Sequence, residues 1–567
     1  MILKNKIYWI ILILALSLKT YGQRKKFNYS GRVRSQIDNN ILTKTDTLNP
    51  DNQNTGYALM DLGFNIAPND VTDIKAAIRL NSPYGGFYGV GATVSFRELY
   101  IRGIIANKVK YQAGDFKYKM TNYTFYNNTE FSNINEATVF SLQRDEILYD
   151  KMMTGNKWWQ QGANAETKLL FTKGIDEIKI RGFLSRNRPT NFVSSPEILQ
   201  AGADINVIKN KYFTIGINYI NLFTVPETAN TDVGFSNSVL SSNFELKKEI
   251  NDICIKLFGE TGLSEMQYTN DLDAPNTVND YFYDAAIGAE FKKIGLSSSI
   301  GFQNVGPEFI SAGSQTMRVN YNANPLLFPN KVNTDSSRAV NISDLVSDAS
   351  VYNVHISQNL SYIDHRFSNV LPYGKATPNR TGFNVNLAYH NKNNSIDADI
   401  NYINLSEIST YGTTSKRMFS VIKVKTNIYV NKMFGFKRNV KLNLGFRNET
   451  TNRSGDSLQA IDLNSSIIDA GLDIELINKF YILSGIKILS ANGNEIISNR
   501  NTYNEITDYT PIKYNETQNL YGFGLRYMFS DAIHLSAYAH ILQLSDKGYD
   551  TNSIEINRLV ILFSMQF

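Results

Sequence analysis

The sequence predicts an all-β fold, a transmembrane antiparallel up-and-down β-barrel of about 22 strands, within about 18–24. Three observations predict it. Short segments alternate apolar and polar residues along the whole chain. The links between them alternate short and long. The last segment, "RLVILFSMQF", puts Leu559, Ile561, Phe563, Met565 and Phe567 on one face of a strand. In water such an edge invites aggregation, whereas a strand that closes a barrel against lipid satisfies it.

The chain opens with "MILKNKIYWIILILALSLKTYGQ". Lys4 and Lys6 precede an apolar run from Ile7 to Leu18, followed by a short polar stretch with Thr20 and Gly22. This predicts a cleaved signal peptide over residues 1–22, the run being too short to span a bilayer as a helix. Nowhere else is an apolar run long enough for such a helix, so membrane residence would rest on strands. A hydrophobic content of 42% fits either a barrel or a water-soluble protein, since every second barrel residue faces water. Aromatic residues at 12%, nearly all Tyr and Phe, suit interfacial girdles. Cys254 is the single cysteine, which excludes an internal disulfide. The net charge of +5 includes three lysines of the signal segment; the remainder is close to neutral and predicts no nucleic-acid partner.

The strands follow in order. "YSGRVRSQI" sets Tyr29, Gly31, Val33 and Ile37 outward and Arg32 and Arg34 inward. "IKAAIRLN" turns Arg79 inward, and Glu98 and Arg102 follow on the next strand. "EIKIRGFL" places Ile178 and Ile180 against Lys179 and Arg181. "SIDADINYI" turns Asp397 and Asp399 inward, and Lys423 follows with Val424 outward. "NVKLNLGFR" adds Lys441 and Arg447, and "IIDAGLDIEL" adds Asp473 opposite Leu472. Links such as "APND", "ANK", "KNK", "EIND", "INK" and "SDA" are short, and the links between them are longer. That rhythm matches barrels with tight turns on one rim and long loops on the other. Residues 23–567 therefore form a single barrel with two long outer loops, 119–163 and 304–379. A short helix is expected near "NISDLVSDAS".

With signal, alternation and terminal aromatic in place, the chain resembles porin-like outer-membrane barrels. Its Asn-, Ile- and Lys-rich composition, with Gln23 after the cleavage point, is similar to Bacteroidota proteins. "VSFRELYIRG" and "VKYQAGDFKYKM" resemble the paired strands that precede the constriction loop of many porins. The terminal Phe567, with Met565 and Phe563, resembles the insertion signal read by barrel-assembly machinery. The strand count exceeds the porin norm. Large transporters with this count carry an N-terminal plug domain, but only Gln23 to Lys26 precede the first strand, so no plug is expected. The resemblance implies the cell outer membrane, contact with its lipid, and a channel passing small polar solutes. The alternative is an accessory subunit of an outer-membrane assembly or secretion complex, with loop 304–379 as the protein-partner surface.

Charged lumen residues are expected to form a hydrated, salt-bridged interior or a basic wall facing an acidic one. Loop 119–163 is expected to fold inward as the constriction. Trp158 and Trp159 lie in it, and Arg144, Asp145 and Glu146 of "SLQRDEILYDK" are placed to meet the charged wall. No enzyme is expected. His534 and Ser536 share a strand face, but the lumen rather than the lipid side. "DADIN" lacks the Gly and Glu of a calcium loop, those places holding Tyr402 and Ile408. No metal spacing, phosphate loop or cofactor motif is present.

Overall fold

The computed structural model describes residues 26–44, 50–85, 91–126, 135–150, 158–193, 196–225, 228, 234–270, 273–314, 370–371, 373–410, 413–500, 506–547 and 553–567. The expected signal peptide and the helix near "NISDLVSDAS" lie outside them.

The chain forms a closed antiparallel barrel of 22 strands, each paired with its sequence neighbours. The strands are β1 (Phe27–Lys44), β2 (Asp51–Asn69), β3 (Thr72–Pro83), β4 (Thr93–Ile105), β5 (Val109–Tyr118), β6 (Trp158–Leu170), β7 (Glu177–Arg188), β8 (Glu197–Lys209), β9 (Phe213–Val225), β10 (Gly234–Ile250) and β11 (Ile253–Asn270). They continue as β12 (Asp273–Phe291), β13 (Leu296–Val305), β14 (Arg380–His390), β15 (Ile396–Ser406), β16 (Met418–Tyr429), β17 (Val440–Arg453), β18 (Ile461–Ile477), β19 (Phe480–Arg500), β20 (Ile506–Ser530), β21 (Ile533–Asp546) and β22 (Ser553–Gln566). A helix, α1 (Thr138–Asp150), lies between β5 and β6, and a single turn, α2 (Val430–Phe434), links β16 to β17.

The ring closes where β1 pairs with β22, from Arg32 opposite Gln566 to Lys44 opposite Ile554. Gly31 and Phe567 exchange backbone hydrogen bonds of 2.8 and 3.0 Å at its end. Closure removes both sheet edges, which explains how so apolar a last strand is accommodated.

The faces follow the sequence alternation. Ile217, Leu263 and Ile287 are more than half exposed on the outside, while Asn218, Ser264 and Ala286 beside them are buried inside. The short turns all fall on one rim. At Asn251 (φ 53°) and Lys479 (φ 66°) the backbone turns through the left-handed region, which Asn tolerates well.

Two expectations are corrected. Trp158 and Trp159 belong to β6, not to the loop: Trp159 pairs with Lys117 and Trp158 with Tyr118. β5 runs to Tyr118, and its backbone groups need partners along its full length, which draws these residues into the ladder. The first long loop is thus 119–157 and the second 306–379. In addition β13 extends to Val305, past the expected loop start at 304, and β19 and β20 remain paired so far along that Asn499 faces Asp508.

Candidate functional site: the segments inside the barrel

The chain leaves β5 and turns inward at once. The amide of Met120 donates to the carbonyl of Phe125 (2.9 Å), which folds residues 119–126 into a compact hook. Tyr123 stacks on inward-facing Phe282 (4.0 Å), and its hydroxyl donates to Asp284 (3.1 Å). Burial, with the Asp284 charge behind it, pushes the Tyr123 phenol far up, so it stays a donor. Phe125 stacks on Phe183 (5.3 Å). Thr121 donates to Glu260 (2.6 Å). The second long loop holds the hook from above. Ser311 donates to the Tyr123 carbonyl (2.8 Å), Tyr126 donates to the Gly313 carbonyl (3.0 Å), and Lys375 shares Asp284 (2.6 Å).

Helix α1 then runs inside the barrel along the wall from β18–β20, past β21 and β22, to β1–β4. Its 13 residues span about 20 Å at 1.5 Å per residue. The N-terminal end sits against β18, β19 and β20, where Gly471, Gly485 and Gly522 are aligned across three strands. A Cβ at Gly485 would lie 2.6 Å from the Ala137 Cβ, and one at Gly522 would lie 2.5 Å from the Phe140 ring. The glycines form a trough, and Ala137, Val139 and Phe140 fill it with Leu483, Leu520 and Tyr538 in one buried apolar cluster. Beside the trough, Glu136 is held by Arg144 (2.5 Å) and Lys487 (2.6 Å), and Lys487 also meets Asp469 (3.0 Å). Burial alone would raise the Glu136 carboxyl, but the two cations outweigh it and hold it well below the usual range. Thr138 donates to Asp473 (2.5 Å).

The C-terminal end meets β1 to β4. Glu146 pairs with Arg32 and Arg34. The Tyr149 hydroxyl donates to Asp61 (2.7 Å), which also accepts two hydrogen bonds from Arg79 (2.7 Å each). Burial and the Asp61 charge push the Tyr149 phenol up to about 12. Arg97 donates to the Tyr149 carbonyl (2.5 Å), a cation at a helix C-terminus. Asp145, beside Glu146, is raised by burial and by that neighbour.

α1 therefore gathers Arg32, Arg34, Arg79, Arg144, Asp145 and Asp473 from the expected set. Others are matched along the wall: Glu98 with Lys75 (2.6 Å), Arg102 with Asp73 (3.4 Å), Lys179 with Glu166 (3.4 Å), Arg181 with Asp204 (2.9 Å), Asp397 with His390 (2.9 Å) and Asp399 with Lys425 (2.8 Å). Lys423 lies opposite Arg447, Lys441 lies opposite Asp473, and Arg447 pairs with Glu449. His534 lines a small cavity beside Arg32 and Glu146. Among the described residues no acidic, His or Cys group is arranged to hold a metal.

Sequence reasoning missed Arg97. Phe96 and Leu99 both face outward, because a bulge between Ala77 and Ile78 leaves Arg97 without an opposite residue and resets the alternation. It also missed Lys487 and the glycine trough, whose alignment exists only once strand register is known.

No protein-family model matches the chain, and no curated protein does. Solved structures that overlap it include a BenF-like porin from Pseudomonas fluorescens (9% identity, 96% of this chain and 100% of that one, TM-score 0.33). OpdK of Pseudomonas aeruginosa, solved with vanillate, overlaps at 8% identity over 95% and 99% of the chains, TM-score 0.35. The translocation pore of the P pilus usher PapC overlaps at 10% identity over 94% and 99%, TM-score 0.28. At such scores the fold rests on the chain's own strand ladder.

Proposed function

We propose that this barrel is an outer-membrane channel for small polar solutes, with α1 as the constriction. The observation that carries the reading is a helix held inside the barrel at both ends, on β18–β20 and on β1–β4, where the interior is polar and charged and the outer face is apolar. Insertion follows from the closing strand, with Phe567, Met565 and Phe563 on its outer face presented to the assembly machinery. Deleting residues 125–155 should raise single-channel conductance in planar bilayers severalfold. A folded deletion variant with unchanged conductance removes α1 from this role.

One observation favours an accessory subunit instead. β19 and β20 have 21 and 25 residues, where about 9–11 cross a bilayer. A hairpin this long projects far beyond the long-loop rim and suits a protein partner. Copurification in mild detergent, lost when residues 495–510 are replaced by a short turn, tests that reading. The partner surface expected on residues 304–379 falls mostly outside the described residues.

A further inference from the structure

Near the short-turn rim, the N-terminal end of α1 and strands β16 to β20 border a cavity of about 350 Å³. Tyr481, Leu483 and Met528 give it an apolar floor. Two buried polar atoms of its lining have no hydrogen-bond partner among the described residues: Oδ1 of Asp473 on β18 and Nε of Arg526 on β20. The other Asp473 oxygen accepts from Thr138, and the residue is only 8% exposed. In the ladder Asp473 lies opposite Leu483, and Arg526 lies opposite Tyr481. Strand β19 therefore separates the two, and at about 4.8 Å per strand their backbones stand about 10 Å apart across the sheet. The remaining charges are lysines. Lys441 lies opposite Asp473 and over the Tyr429 ring (5.9 Å). Lys432 lies over the same ring (4.6 Å) and donates to the Asn394 carbonyl (3.2 Å). A simple anion would meet the unpartnered oxygen of Asp473, and a simple cation would meet Arg526 and Lys441. A molecule with an ammonium and a carboxylate on one carbon, and an apolar side chain, satisfies both orphan atoms and covers the floor. An apolar lining with a few convergent polar groups is the usual make-up of a small-molecule site, and a buried polar atom left unpaired is costly.

We infer that this cavity binds a zwitterionic α-amino acid with an apolar side chain, its ammonium donating to Asp473 and its carboxylate accepting from Arg526. The inference deepens the channel reading by naming a solute class, and it rests on that reading for a route to the cavity. Binding in detergent needs no conduction, so the two fail separately.

The test is calorimetric titration of the purified full-length protein in detergent with L-leucine and two of its fragments. One is 4-methylpentanoate, which lacks the ammonium; the other is 3-methylbutylamine, which lacks the carboxylate. Leucine should saturate a single site, and each fragment should bind about tenfold more weakly or worse. Asp473→Asn keeps an acceptor for Thr138; it should lose about tenfold or more for leucine while binding 4-methylpentanoate no more weakly than wild type. Arg526→Gln should lose leucine to a similar extent, and Lys256→Gln, on β11, should bind it like wild type. If Asp473→Asn lacks the heat-modifiable folded form, Arg526→Gln is read in its place. Absence of saturable leucine binding overturns the inference. Equal affinity for leucine and either fragment also overturns it, because one charge alone would then suffice. So does an equal loss in Lys256→Gln, which would mean that leucine answers to the lumen as a whole.

Discussion

The two ends of α1 are held by different physics. At β18–β20 the helix is seated by shape: three aligned glycines leave a trough that Ala137, Val139 and Phe140 fill. At β1–β4 it is held by charge, with Glu146 between two arginines and Tyr149 beside Asp61. Packing is short-ranged and indifferent to salt, whereas ion pairs with partial access to water weaken as salt rises. The comparison teaches that one end of the helix is fixed and the other is adjustable.

The largest effect is expected at Lys487, the cation between Glu136 and Asp469 beside the trough. Lys487→Met strips the cation from buried Asp469 and leaves buried Glu136 with Arg144 alone. Breaking a buried pair by removing one partner costs about 3–5 kcal/mol. A marked fall in the unfolding midpoint, read by heat-modifiability on gels, is the outcome; an unchanged midpoint would mean the packing alone suffices. Next comes Gly522→Val, whose Cβ would sit 2.5 Å from the Phe140 ring. Overpacking of this kind costs about 1–3 kcal/mol. It should expose α1 to protease, with the same response at low and high salt.

A smaller effect is expected from Glu146→Gln, which removes the acid shared by Arg32 and Arg34. It should loosen only the C-terminal end, raising protease cleavage near residues 146–150. High salt should mimic it in the wild type and add little in the variant. Were salt to act equally on both, the charge-held description of this end would fail.

The smallest effect has the opposite sign. The Asp145 carboxyl is raised by burial and by Glu146, so at neutral pH its charge opposes the fold. Asp145→Asn should raise the midpoint at pH 7, and the gain should vanish as pH falls below the raised value, where the wild-type carboxyl is protonated. Glu136 behaves inversely. Its carboxyl is depressed, so its contribution is complete above the ordinary carboxylate range and is lost only as pH falls through the lowered value. Midpoints of Asp145→Asn and Glu136→Gln across pH 3–8 should therefore move in opposite directions from wild type at neutral pH.

Much of the barrel was legible because two periodicities agree. Lys179 and Arg181 alternate with Ile178 and Ile180, and links such as "KNK" and "EIND" recur on one rim. Helix α1 was not legible. A helix enclosed by walls of different chemistry has no single apolar stripe: Val139 and Phe140 face glycines, Arg144 faces Glu136, and Glu146 faces arginines. The usual 3.6-residue signal is absent for that reason. The sequence pointed to Glu146 as a bridge to the charged wall, since an acidic group in a long loop beside inward arginines has few other partners. Trp158 and Trp159 were misplaced because an aromatic pair carries no alternation of its own, and only the length of β5 assigns them to the ladder.

The seam between β1 and β22 joins segments separated by nearly the whole sequence. Every other ladder can zip from a neighbouring hairpin; this one cannot begin until the rest of the sheet has brought its ends round. The entropic toll of so distant an encounter grows only logarithmically, by about 0.6 kcal/mol for each doubling of the intervening chain, yet contacts of this kind slow folding. Until the seam shuts, the nascent sheet has two bare margins able to recruit strands from other molecules. The mutual hydrogen bonds of Gly31 and Phe567 mark the end of that vulnerable interval.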